Sequence, residues 1–137
     1  MTSNSDRHEV TDHRGESGQG LAEFAMILPV LVLILMTVFD FGCAVYAYSV
    51  VNSAAREGAR YALAHPSNSS AIITWVEDST AGLDPTALEV VVSHPDSTSI
   101  RVQVRYTFEP ITPLIASIIS DDGELVLSST ATMYTEY

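Results

Sequence analysis

Residues 18–39 read GQGLAEFAMILPVLVLILMTVF, and this stretch decides how the rest of the chain is organised. Its last sixteen positions, 24–39, carry no charged side chain. As an α-helix these positions would extend about 24 Å, slightly less than the hydrocarbon thickness of a bilayer. Residues 41–51 are again uncharged, so that only Asp40 interrupts the apolar sequence. A helix over 24–51 would extend about 42 Å and cross a membrane.

Glu23 stands directly before the apolar run, where an ionised carboxylate is costly to insert into lipid. One interpretation is an interfacial carboxylate at the level of the headgroups, which needs no partner. The other is a carboxylate that pairs with a positive charge, because opposite charges removed from water attract strongly and offset each other's desolvation. The position of Glu23 alone leaves both interpretations open.

The pattern around this glutamate is a glycine, four further residues, the pair Glu-Phe and a long apolar helix. It resembles the processing site of type IV pilin-like precursors, and the residues that carry the resemblance are Gly18, Gln19, Gly20, Leu21, Ala22, Glu23 and Phe24. The resemblance implies that a membrane-embedded prepilin peptidase cuts between Gly18 and Gln19, and that the new amino terminus commonly becomes methylated. It also implies an assembly and recognition role for Glu23 and Phe24, with the carboxylate facing the terminal amine of a neighbouring subunit.

A second pattern follows on the same predicted helix, where residues 39–46 read FDFGCAVY and residues 52–62 read NSAAREGARYA. With the apolar run before them, these segments resemble the TadE-like pseudopilins of tight-adherence (Tad) pili. The resemblance covers about residues 18–64 and implies a minor pilin or pseudopilin in the assembly of a Flp-type pilus. The partners it implies are the prepilin peptidase, other pilins and pseudopilins, and the Tad machinery of the bacterial cytoplasmic (inner) membrane.

Small residues recur along the second half of the predicted helix, and small residues allow close approach between helices. We expect a helix-packing motif here, made of Asp40, Gly42, Arg56, Glu57, Gly58 and Arg60. Arg56 and Arg60 share one helix face, and Glu57 can reach Arg60 three positions further on. Pro29 removes one backbone donor early in the membrane helix and should bend it.

The 137-residue chain has a net charge of −11, which argues against nucleic acid as a partner. Arg7 and Arg14 precede the apolar run and favour a cytoplasmic leader, because positive residues accumulate on that side of a membrane. We therefore predict a polar, disordered leader over 1–18, a long pilin-like helix over 19–64, and a small acidic extracytoplasmic domain over 65–137. A single cysteine excludes an internal disulfide.

The C-terminal domain has mixed helix and strand patterns. Residues 71–80 place Ile72, Ile73, Trp75 and Val76 on one face, which predicts a short amphipathic helix. Residues 88–92 and 100–108 alternate apolar and polar side chains around a turn at 94–99, which predicts a β-hairpin.

The remainder predicts a short apolar turn over 114–119, a turn at 121–123 and a last strand over 124–137. We therefore expect an α+β fold, in which a long N-terminal transmembrane helix precedes a small antiparallel sheet with a short helix. Three antiparallel strands covered by a helix are enough for a small independent domain.

No arrangement of residues typical of catalysis is visible in the sequence. The four histidines are scattered, and Asp121, Asp122 and Glu124 lack the spacing of a calcium-binding loop. Neither a phosphate-binding glycine loop nor a nucleophile elbow occurs. We predict that the protein is not an enzyme and binds no cofactor or metal.

Three alternatives remain open. The chain would be a single-pass anchor for an extracytoplasmic binding module if its leader stayed uncut. A secretory signal cleaved near 44–47 would release a soluble product, although the apolar block is longer than such signals usually have. The pair Gly42-Cys43 resembles the end of a lipobox, but Asp40 stands where such boxes carry an aliphatic residue.

Overall fold

The computed structural model describes residues 14–119 and 124–134. The elements are, in chain order, α1 (Arg14–Ala64), α2 (Ser69–Ser79), a 3₁₀ turn (Pro85–Ala87), β1 (Leu88–Asp96), β2 (Ser99–Phe108), α3 (Pro113–Ile119) and β3 (Leu125–Tyr134). This architecture confirms the predicted α+β class. The leader up to residue 13, the predicted turn at 121–123 and the end of the last predicted strand lie outside the described residues.

Helix α1 begins at Arg14, so that residues 14–18 of the predicted disordered leader are helical. It continues without a break through Pro29. It ends at Ala64, one residue before His65-Pro66, because a proline disfavours helical geometry in the residue that precedes it. The chain divides into two compact units between Leu35 and Met36, and α1 belongs to both.

The three strands form one antiparallel sheet in the order β1-β2-β3. Val90 pairs with Val104 and Val92 with Val102, which is the register of a tight hairpin. On β2, Ile100, Val102 and Val104 are buried and both arginines are exposed, as the alternation predicts, whereas Tyr106 and Phe108 on the same face are partly buried. Both hairpin strands are longer than predicted, because the β1–β2 pairing extends to Asp96 and Ser99.

The core of the second unit lies between the later part of α1, α2 and one face of the sheet. Its buried residues are Val51, Ala54, Ala55, Ala59, Ala62, Ile72, Val76, Ile100, Val102 and Val104. Five of them come from α1, and four of these five are alanines. Small side chains on α1 thus allow α2 and the sheet of the same chain to approach the helix backbone closely.

Helix α2 starts at an N-cap, Asn68, whose side chain accepts a hydrogen bond from the Ala71 backbone amide at 3.2 Å. Ile72 and Val76 are fully buried, in agreement with the predicted amphipathic face. Trp75, which was predicted to share that face, is about half exposed and stacks on the α1 residue Tyr61 at 4.9 Å between ring centroids. Trp75 therefore covers the edge of the core.

Candidate functional site

The first candidate site is the apolar stretch of α1, because residues 18–39 are all exposed. Met26 is 79% exposed and Val38 65% exposed. Soluble proteins rarely expose so many contiguous apolar side chains. By length and composition, the helix Gly18–Ala64 is able to cross a membrane, with a mean hydropathy of 2.5 over its 18-residue window. The exposed apolar side chains of residues 24–39 need lipid or other apolar helices as partners.

The residues of the predicted processing site lie at the start of this stretch. The Gln19 side-chain amide donates a hydrogen bond to the Glu23 Oε1 atom at 3.2 Å, since residues four apart share a helix face. At Gly18, a Cβ atom would meet nothing within 4 Å. Phe24 is 56% exposed. The four predicted residues are thus accessible within about one and a half turns of helix.

Asp40 has a different environment, since its side chain is only 3% exposed. Its Oδ1 atom accepts a hydrogen bond from the Ile111 amide at 3.0 Å, and its Oδ2 atom accepts one from the Thr112 amide at 2.9 Å. Hydrogen bonds to an ionised acceptor are about twice as strong as neutral ones. The carboxylate therefore fixes the segment between β2 and α3 to the helix.

The sequence indicated Asp40 as a packing residue but gave no sign of its partners. The two amides lie 71 and 72 residues further along the chain. The available signal was indirect: an acid inside an apolar helix needs a donor when it is buried.

The other residues of the predicted packing motif do not form one site. A Cβ atom on Gly58 would overlap a Val76 methyl group and lie 3.3 Å from Val102, whereas one on Gly42 would meet nothing within 4 Å. Four residues of the motif lie exposed on the helix surface: Gly42, Arg56, Glu57 and Arg60. Among the described side chains, Glu57 and Arg60 do not form an ion pair within 4.0 Å.

Two apolar hollows flank α1 just beyond the exposed stretch. One, of about 510 Å³, lies against Val38, Gly42 and Tyr46, and includes Phe108. The other, of about 270 Å³, has Phe41 and other apolar residues in its wall together with Asp40. The carboxylate is already hydrogen-bonded to backbone amides, so the hollows present mainly apolar surface.

A polar cleft of about 390 Å³ contains Asp84, Thr86, Glu109 and Glu124. The Thr86 hydroxyl and backbone amide both bond to Asp84 and hold the pKa of that carboxyl below its usual value. This bonding is the cap of the 3₁₀ turn, and it accounts for Asp84 structurally. Within residues 14–119 and 124–134, no group of three or more His, Cys, Asp or Glu side chains is placed to hold a metal ion.

Residues 18–60 match the family model described as TadE-like protein. The match confirms the resemblance that the sequence patterns indicated. It lies wholly within α1 and includes the exposed stretch, Asp40 and Gly58. Comparison with curated proteins and with solved structures gives no match.

Proposed function

We propose that this chain is a minor pilin or pseudopilin that acts in the assembly of a tight-adherence (Flp-type) pilus. The observation that carries the proposal is that the TadE-like match over residues 18–60 includes the stretch 18–39, in which every residue is exposed. Such a surface suits lipid before assembly and the helices of neighbouring subunits afterwards, because both offer apolar contacts of similar chemistry. The role is assembly and not catalysis.

The proposed location is the bacterial cytoplasmic (inner) membrane, with one crossing and the C-terminal unit on the extracytoplasmic side. Arg7 and Arg14 support this orientation through the positive-inside rule. Residues 65–137 contain ten acidic residues and two arginines, which suits a soluble unit outside the cell. Partners are the prepilin peptidase, other pilins and pseudopilins, and the Tad machinery of the inner membrane.

The proposed activation step is cleavage of the bond between Gly18 and Gln19. Cleavage creates an amine on Gln19, which shares a helix face with Glu23 one turn further on. The carboxylate of Glu23 then has a cationic partner in the terminal amine of a neighbouring subunit. In a low-dielectric environment the two charges compensate each other's desolvation only when they are well paired, which would align the subunits.

The first test is mass spectrometry of the protein extracted from its native membrane. An amino terminus at Gln19 supports the proposal, and an intact leader contradicts it. The Gly18→Phe variant should remain uncut, as a gel shift would show. Gly20→Phe is the matched control, since a Cβ atom meets nothing within 4 Å at either glycine, so neither substitution disturbs packing.

The second test separates processing from assembly. Glu23→Ala should still be processed, but its incorporation into sheared pili, measured by immunoblot, should fall because the charge partner of the new amine is missing. Glu57→Ala is the control, since it removes another exposed carboxylate from the same helix. Equal incorporation of both variants would show that the Glu23 charge has no role in assembly.

A second candidate is a single-pass anchor that keeps its leader and displays an acidic binding module. The observation in its favour is that α1 continues without a break from Arg14 through the Gly18–Gln19 bond, whereas proteolysis prefers exposed loops. Cleavage near 44–47 would cut α1 next to the buried residue Ala47 and separate Asp40 from the amides it binds, so the fold argues against a secretory signal.

The amino terminus of the native protein distinguishes the processed pilin, the uncleaved anchor and the secreted product.

A further inference from the structure

Asp40 is the first buried residue of α1 in the part of the helix whose side-chain burial is described, and Phe41 beyond it is exposed again. Phe39 is 59% exposed and the next residue, Asp40, is 3% exposed. Residues 21–39, with Glu23 in their first turn, span about 28 Å as a helix, close to the roughly 30 Å of a bilayer's hydrocarbon core. Because the carboxylate of Asp40 is bonded to the backbone amides of Ile111 and Thr112, we take 21–39 as the lipid-embedded segment, which is shorter than the 24–51 that hydropathy alone predicts. Its end falls next to Asp40.

Three large apolar side chains of the second unit are exposed near this limit. Phe41 is 71% exposed, Ile111 61% and Ile118 75%. Phe41 follows Asp40 on α1, and the amide of Ile111 is bonded directly to the Asp40 carboxylate. Ile118 lies one turn after Ile115 on α3, and Ile115 shares the 270 Å³ hollow with Phe41. We call Phe41, Ile111 and Ile118 the interfacial patch.

We propose that the interfacial patch contacts the lipid surface of the membrane that α1 crosses. The membrane segment is continuous with the patch, since Phe41 stands two residues after Phe39 on the same helix. The hydrogen bond from the Ile111 amide to the Asp40 carboxylate keeps Ile111 close to the C-terminal end of the apolar run. The inference rests on the membrane insertion included in the proposed function, and not on cleavage or pilus assembly.

The chemistry of the patch specifies the kind of lipid contact. Its three side chains are uncharged, and the neighbouring residue Glu109 is an exposed acid. An acid beside the patch gives no attraction to anionic headgroups, so the contact depends on apolar insertion. Neutral phosphatidylcholine should therefore be sufficient, and high salt should leave the contact intact because screening acts on charges.

Tryptophan fluorescence of the full-length chain in phosphatidylcholine vesicles tests the proposal. Trp75 is the sole tryptophan, so a Trp75→Phe background carries one new probe at a time. The test variants are Ile118→Trp and Phe41→Trp, and the matched control is Val126→Trp, whose parent side chain is 59% exposed on β3. Lipids brominated close to the headgroup should quench the two test variants by about half, as expected for a residue at the interface, and leave the control unchanged.

The quenching results distinguish a lipid contact of the interfacial patch from its coverage by a second copy of the chain. Quenching of the test variants no greater than that of Val126→Trp would overturn the proposal. Quenching that disappears as the protein-to-lipid ratio rises would also overturn it, since a second copy then covers the patch. If the chain did not co-float with the vesicles, membrane insertion and the proposed anchor would both be contradicted. If the chain inserted but the probes were not quenched, only the proposed lipid contact would be contradicted.

Discussion

Residues 21–39 and 40–62 belong to one helix, yet every residue of the first region is exposed, whereas the second has one face buried within its own chain. In the first region, large side chains such as leucine, isoleucine and phenylalanine are exposed. In the second region the buried positions are Asp40, Ala47, Val51, Ala54, Ala55, Gly58, Ala59 and Ala62. The region with the smaller side chains is the one that the sheet and α2 cover.

The comparison shows that hydrophobicity by itself does not determine which part of a helix is buried within its own chain. Small side chains let a packed sheet or helix come close to the backbone, so that many contacts form along one face. Large branched side chains keep a neighbour at a distance and present apolar area for lipid or other subunits. Asp40 is the first buried position of the second region, and its two backbone hydrogen bonds join α1 to the segment between β2 and α3.

The largest expected effect comes from adding bulk at Gly58. Gly58→Val should destabilise the second unit by about 3 kcal/mol, because the new side chain overlaps Val76, a buried and conformationally stiff residue. Urea unfolding of the full chain in neutral micelles, followed by Trp75 fluorescence, measures the change. Gly42→Val is the control, since its Cβ meets nothing within 4 Å and the loss should stay below about 1 kcal/mol.

Asp40→Asn should have the next largest effect, about 2 kcal/mol, because the amide offers one acceptor oxygen to two buried backbone donors. Hydrogen–deuterium exchange should become faster at the amides of Ile111 and Thr112. The control is Asp78→Asn, an exposed acid on α2 that should change stability by less than about 0.5 kcal/mol. Unchanged exchange at the two amides would show that the carboxylate does not hold this segment.

An identical substitution in the two regions tests the comparison directly. Val51→Ala should lower the unfolding free energy of the second unit by about 1.5 kcal/mol, since Val51 is fully buried. Val32→Ala should leave it within about 0.5 kcal/mol, because Val32 is 45% exposed and lies in the first region. Equal losses would mean that the first region also contributes to the packing of the second unit.

The smallest effect concerns an aromatic residue at the edge of the core. Tyr61→Leu should cost about 1 kcal/mol, because the stack with Trp75 at 4.9 Å and the stack with His65 at 4.5 Å are lost while apolar volume is kept. Phe24→Leu, in the exposed region, should leave urea unfolding unchanged. If the Tyr61→Leu variant were as stable as the parent, the aromatic stacks would not contribute to the stability of the second unit.

Several elements were predictable because they depend on nearby residues. The alternation in β1 and β2 repeats every two residues and directs one set of side chains to the core. The burial of Ile72 and Val76 follows from their spacing of one helical turn. The processing role of Gly18 and Glu23 also comes from a pattern confined to one short segment, and it stays a prediction.

Other features involve residues far apart in the chain, and sequence patterns did not reveal them. The contact between Asp40 and Thr112 spans 72 residues, and nothing near either residue specifies the other. Helix spacing placed Trp75 with Ile72 and Val76, but the position of Tyr61 on α1 decides that its ring stacks at the edge. The requirement for a glycine at 58 depends on where Val76 and Val102 lie in the fold.

The sequence by itself determined a long apolar helix, a following α+β domain with a hairpin, and the pattern that resembles a pilin processing site. Local periodicity, side-chain size and turn residues encode these features within a few positions of one another. Only the tertiary structure decided where along the helix exposure gives way to burial, and which backbone amides bind Asp40. Those features arise because folding brings distant segments together, and a buried carboxylate is stable only beside donors that the fold supplies.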